Sequence, residues 1–142
     1  MEHKKHPNRR LRHCIAAPFI WLPLIALIIL DIFLEIYHRI CFPLYGLEYI
    51  KRSDYIKVFD RNRLQYLGFW DKINCSYCGY ANGLINYARV IAGTTELYWC
   101  GIRHKQENNF HEQQHHKDFN FSKYGDKKAF EKKYCKLNKK NK

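Results

Sequence analysis

Residues 14–30, CIAAPFIWLPLIALIIL, run seventeen positions without a charge, and no water-facing element of a small domain accommodates such a stretch. It belongs in a core or in lipid. Ile32, Phe33, Leu34, Ile36 and Tyr37 continue it around Asp31 and Glu35. A helix needs about 20 mainly apolar residues to cross a bilayer core, which the run reaches if it extends to about Leu34. A membrane helix is therefore expected over residues 14–42. Lys4, Lys5, Arg9, Arg10 and Arg12 precede it as in a signal peptide, but no small-residue cleavage site follows. Arg39, Lys51, Arg52 and Lys57 make the other flank cationic too, so the positive-inside rule casts no vote between orientations. A single span is one arrangement. A re-entrant or in-plane helix, with Pro18 and Pro23 as breaks and Pro43 as a terminus, is the other.

The chain has 142 residues, room for one small domain with tails, which excludes a multidomain enzyme. Its net charge of +12 sits in the ends, +4 in residues 1–13 and +7 in residues 103–142. The expected organisation is a basic tail over 1–13, the membrane helix over 14–42, a Cys/His module over 52–106 and a His/Lys-rich tail over 107–142. Asp31, Glu35 and His38 share one helix face, where the helix leaves hydrocarbon and Arg39 can pair with Glu35 one turn away.

The fold class expected for the rest is α+β. Residues 55–59 (YIKVF) and 64–67 (LQYL) flank a polar turn at Asp60, Arg61 and Asn62, which predicts a short β-hairpin. Leu84, Tyr87, Ala88 and Ile91 recur at helical spacing. Gly93 suits a helix C-terminus and Thr94 an N-cap with Glu96 in the following first turn, which predicts two short helices joined by a tight turn.

Two pieces of chain carry metal-ligand spacing: Cys75-x2-Cys78, and Cys100-x3-His104. Thiolates three apart in a turn, with Gly79 free to take a positive φ, offer both sulfurs to one ion. Cys100 and His104, one helical turn apart, can complete a tetrahedron. Three thiolates and one imidazole suit structural Zn²⁺, and Fe is the alternative that a thiolate-rich site also accepts. A redox dithiol or a disulfide framework are the rival uses of these cysteines.

The blocks DYIKVFDRNRLQYL, DKINCSYCGYANGLINYAR, TELYWCGIRH and FSKYGDKKAF resemble a family of small bacterial membrane proteins that has no assigned activity. Cys75, Cys78, Tyr80, Asn82, Gly83, Tyr98, Trp99, Cys100 and His104 carry the resemblance. It implies an apolar N-terminal segment ahead of a Cys-containing block, and nothing about a reaction. The family pattern has proline where this chain has Gly101.

In the tail, His111, His115 and Asp118 form a second candidate metal set of two imidazoles and one carboxylate. Nine lysines follow position 122 and favour anionic lipid head groups; a protein partner is a further expectation, and nucleic acid is disfavoured. No nucleophile with its base, phosphate-binding glycine loop or paired catalytic carboxylate stands out. The functional expectation is an accessory or interaction protein with a structural zinc site, anchored in the cell membrane and facing the cytoplasm. The alternative is a membrane-bound metalloenzyme or redox protein using iron or thiols at the same Cys/His site.

Overall fold

The computed structural model of the chain describes residues 7–135. Four α-helices follow one another: α1 (Arg9–Tyr45), α2 (Phe69–Cys100), α3 (Gln114–Asp118) and α4 (Lys127–Phe130), with 3₁₀ turns at Arg52–Asp54 and Arg61–Arg63 and a π-turn at Glu131–Cys135. The chain divides into two compact units, Met1–Asn86 and Tyr87–Lys142, and the division falls within α2.

The α+β expectation is overturned: the described residues contain no β-strand, only an isolated parallel bridge between Ile102 and Ser122. Residues 55–59 do not pair with residues 64–67. Instead their backbone lies on α2 at two glycines one turn apart. A Cβ on Gly79 would come within 2.5 Å of the Lys57 carbonyl oxygen, and one on Gly83 within 2.7 Å of the Tyr55 carbonyl oxygen. Glycine is what lets main chain approach a helix this closely. The polar turn between the two segments is a 3₁₀ turn, started by the Asp60 carboxylate accepting from the Arg61 N–H at 2.8 Å.

The two short helices are one. Gly93 lies inside α2, and the hydroxyls of Thr94 and Thr95 donate to the carbonyls of Val90 and Ile91 one turn back, so neither caps a new helix. The cysteine knuckle is likewise helix, with Cys75, Cys78 and Gly79 all inside α2. The periodic stripe does become core: Leu84, Tyr87 and Ile91 are buried.

In the first unit, α1 runs through Pro18, Pro23 and Pro43 without a break and ends at Gly46, whose φ of 68° is the left-handed cap. The Leu47 N–H donates to the Phe42 carbonyl at 2.9 Å, closing that cap. Leu24, Leu27, Asp31, Glu35, His38 and Phe42 lie on one side of α1 and are partly or fully buried. The opposite side is exposed and aliphatic. Over Leu11–Tyr45 the helix is long and apolar enough to cross a membrane. The expected Glu35–Arg39 pair is present at 3.1 Å.

In the second unit Tyr87, Ile91 and Phe121 form the small apolar core, with His116 fully buried beside Phe121. The Ser122 N–H donates to the Gly101 carbonyl and the Arg103 N–H to the Ser122 carbonyl, which ties the chain after α2 to the segment after α3. The Asp126 side chain caps α4 by accepting from Ala129. The lysines beyond position 135, part of the expected lipid-binding tail, lie outside the described residues.

Candidate metal centre

Among the described residues, Glu96, His115 and His116 form the group whose ligand atoms, one from each residue, all lie within 4.8 Å of one another and could hold a metal ion. Glu96 projects from the last turns of α2, and the two imidazoles come from the short α3. The Glu96 carboxylate receives both rings, with Oε2 at 2.6 Å from His115 Nε2 and Oε1 at 3.0 Å from His116 Nε2. Burial pushes the Glu96 carboxyl upward, but the two imidazole N–H donors outweigh it and hold the group below the ordinary carboxylate value.

Gly93, one turn before Glu96, makes this approach possible. A Cβ there would lie 2.8 Å from both Cβ and Cγ of His115. The chain needs a glycine at this point because the imidazole occupies the space a side chain would take. His116 is held on its faces by aromatic rings: Phe121 lies 4.6 Å away between centroids and His104 5.3 Å away. His115 stands edge-on to His116 at 4.6 Å.

Four buried polar atoms around the group have no hydrogen-bond partner among the described residues: His115 Nδ1, His116 Nδ1, Glu112 Oε1 and Arg103 Nε. Of these, His116 Nδ1 and Glu112 Oε1 face each other at 3.9 Å, beyond hydrogen-bond reach. When Nε2 of a neutral His116 carries the proton toward Glu96, Nδ1 presents a bare lone pair to a carboxylate. An ion held by His116 Nε2 would leave the proton on Nδ1, where Glu112 could accept it after an approach of about 1 Å, while His115 Nδ1 has no such acceptor beside it among the described residues. Arg103 stands 3.7 Å from Glu112 as its counter-charge. The residues present therefore fit a metal ion.

The expected ligands are distributed otherwise. Cys75 and Cys78 lie on α2 in the first unit, and Cys100 ends α2 in the second. All three are free thiols, and none joins a ligand group among the described residues. His104 is exposed and forms a wall beside His116, its ring also packing on Phe110 at 5.6 Å. Of the second candidate set, His115 is in the group. His111 is exposed, and Asp118 is engaged by the Arg89 guanidinium at 2.9 Å and by Gln114 at 3.0 Å. The Arg89 and Gln114 donors lower the Asp118 carboxyl pKa. Glu96 and His116 are absent from both expected sets. The pairing of His116 with His115 in the sequence was the one signal for the second, although adjacency on a helix does not by itself bury both rings. Glu96, nineteen residues before His115, had none.

The first unit contains a separate polar constellation. Arg52 forks onto both Asp31 oxygens, one of them at 2.7 Å, and the Tyr80 hydroxyl donates to Asp31 at 2.9 Å. Burial and the Asp31 carboxylate together push the Tyr80 phenol up to about 12. The same unit has an open apolar cleft of about 480 Å³ between Trp21, Leu24, Phe59, Phe69, Ile73 and Tyr77.

No family model, curated protein or solved structure matches this chain.

Proposed function

We propose that this chain is a membrane-attached metal-binding protein, in which α1 enters lipid at the cell membrane and Glu96, His115 and His116 hold one Zn²⁺. The observation that carries the reading is the pair of buried orphans, His116 Nδ1 and Glu112 Oε1, facing each other behind a ring whose other nitrogen already points at a carboxylate. A carboxylate behind a metal-bound imidazole is the usual device for fixing its tautomer. Two imidazoles and a carboxylate are a three-ligand zinc set, of the kind that leaves the fourth position to water. The ion joins the C-terminal half of α2 to α3, and a unit whose core is little more than Tyr87, Ile91 and Phe121 gains most from such a staple. The role is that of an accessory module on the cytoplasmic face, which would receive both cationic flanks were α1 not to cross.

A second reading rests on the ligand set itself. Two histidines and one carboxylate on one side of an ion, with open positions opposite, also suit non-haem Fe²⁺, which would make the protein redox-active.

Elemental analysis of the purified, detergent-solubilised protein tests both. The expected result is about one equivalent of zinc in a colourless protein, lost in Glu96→Ala and kept in Cys78→Ser. Iron in the same stoichiometry selects the second reading. Protein without metal, or metal lost in Cys78→Ser and kept in Glu96→Ala, overturns the assignment.

A further inference from the structure

Building on the membrane reading, we infer that α1 does not cross the bilayer but lies in the plane of one leaflet, with anionic lipid as its partner. A helix of 37 residues is about 55 Å long at 1.5 Å per residue, well beyond the roughly 30 Å of a hydrocarbon core. A span would have to use residues 14–34. That stretch is not free to meet lipid on all sides.

From Ile20 onward one side of α1 is touched by the chain's own residues 47–83; Leu24 and Leu27 there are half-buried, and no residue of 14–30 is fully buried. The Tyr77 hydroxyl donates to the Ile20 carbonyl at 2.9 Å, and its ring packs on Trp21 at 5.2 Å. Arg52 and Tyr80 bind Asp31, and Arg52 also reaches Glu35 at 3.7 Å. The Ile50 N–H donates to His38 at 3.2 Å, and Tyr49 stacks on the His38 ring. Between these contacts the adjoining chain is irregular and charged, with Asp54, Lys57, Asp60 and Arg61 in its turns. Upright, α1 would carry that chain to the bilayer centre, where irregular backbone and charge find no partners.

Lying flat, α1 separates its two sides. Asp31, Glu35 and His38 turn toward the protein, and Ile15, Leu22, Ile29, Ile36 and Leu44 turn toward acyl chains. The cationic residues before and after the apolar run then meet the same leaflet, so both flanks satisfy the positive-inside preference that an upright helix would violate at one end. Interfacial helices of this kind rest about 5–10 Å into the headgroup and acyl boundary.

Those five exposed positions lie two turns apart along a single side of α1, which makes depth measurable. Each is replaced by cysteine in the full chain with its own six cysteines changed to serine, nitroxide-labelled and mixed with phosphatidylcholine–phosphatidylglycerol vesicles. Oxygen and a water-soluble nickel chelate then report depth. All five labels are expected at one shallow depth, with binding lost in phosphatidylcholine alone at high salt. A depth that changes by about 10 Å per step, peaking near Leu22 and Ile29, overturns the in-plane arrangement and leaves membrane attachment standing. Labels open to the chelate throughout overturn both. A wild-type chain tagged at each end supplies the check that does not depend on the cysteine substitutions: protease added to one side of sealed vesicles removes both tags if α1 is in-plane, and only one if it spans.

Discussion

At the scale of single residues, Gly93 and Glu112 stand against the candidate ligands His115 and His116 without belonging to the ligand set. Gly93→Ala places a methyl group where His115 begins, so the imidazole must move away from Glu96. Glu112→Ala removes the acceptor behind His116 Nδ1. Each is expected to weaken zinc binding by about ten- to a hundredfold, the range for losing a group that orients a ligand, as measured by chelator competition. An unchanged affinity in both would mean that the ion is held elsewhere. The Glu96 carboxyl also sets a pH dependence in metal-free protein. Its folded pKa lies below the ordinary value of 4.5, so its contribution to stability is full above that value and is lost as pH falls through the lowered one. Thermal unfolding of chelated wild type against Glu96→Gln should show a wild-type advantage at neutral pH that shrinks below pH 4.5. A constant difference across that range would contradict the ionised, doubly hydrogen-bonded carboxylate.

At the scale of elements, α2 shows what local pattern can and cannot reveal. Its buried stripe at Leu84, Tyr87 and Ile91 is legible because helical periodicity is local. Its continuity is not, because glycine and threonine at 93–95 carry helix-end chemistry whose outcome depends on what packs there. Here the Thr94 and Thr95 hydroxyls bond back along the helix and His115 fills the space above Gly93. The hairpin fails for a related reason. Residues 55–59 have strand composition, but their backbone is received by Gly79 and Gly83 of a helix rather than by a second strand. This gives a direct test. Alanine is the better helix former by about 1 kcal/mol, yet at Gly83 its methyl group meets the Tyr55 carbonyl and the Ile56 Cα, a backbone clash costing about 1–3 kcal/mol. Gly83→Ala should therefore lower the denaturant midpoint, and a raised midpoint would mean that the segment does not rest on α2. The apolar helix is the most legible element of all, since a long uncharged run has few other fates. Its polar side at Asp31, Glu35 and His38 is visible in the spacing, but Arg52 and Tyr80 as partners of Asp31 are not, being 21 and 49 residues away.

At the scale of the whole molecule, each of the two units has a structural problem that the account answers with a different partner. The first exposes aliphatic side chains along α1, for which lipid is the proposed partner. The second has a small apolar core, for which a metal ion is the proposed partner. Cysteine spacing directs attention to thiolates, whereas the convergent donors are a carboxylate and two imidazoles, brought together across a separation of nineteen residues that no spacing rule covers. Removing the metal should therefore loosen the second unit selectively. Hydrogen exchange after chelation is expected to speed up in residues 101–122 and to leave residues 47–68 unchanged, and equal acceleration in both would deny that the ion staples one unit. The most direct measurement of the central claim is X-ray absorption at the zinc edge of the loaded, full-length protein. The account predicts a first shell of nitrogen and oxygen only, at about 2.0–2.1 Å, with the outer scattering of two imidazoles. A sulfur shell at about 2.3 Å would place the metal on the cysteines and contradict it.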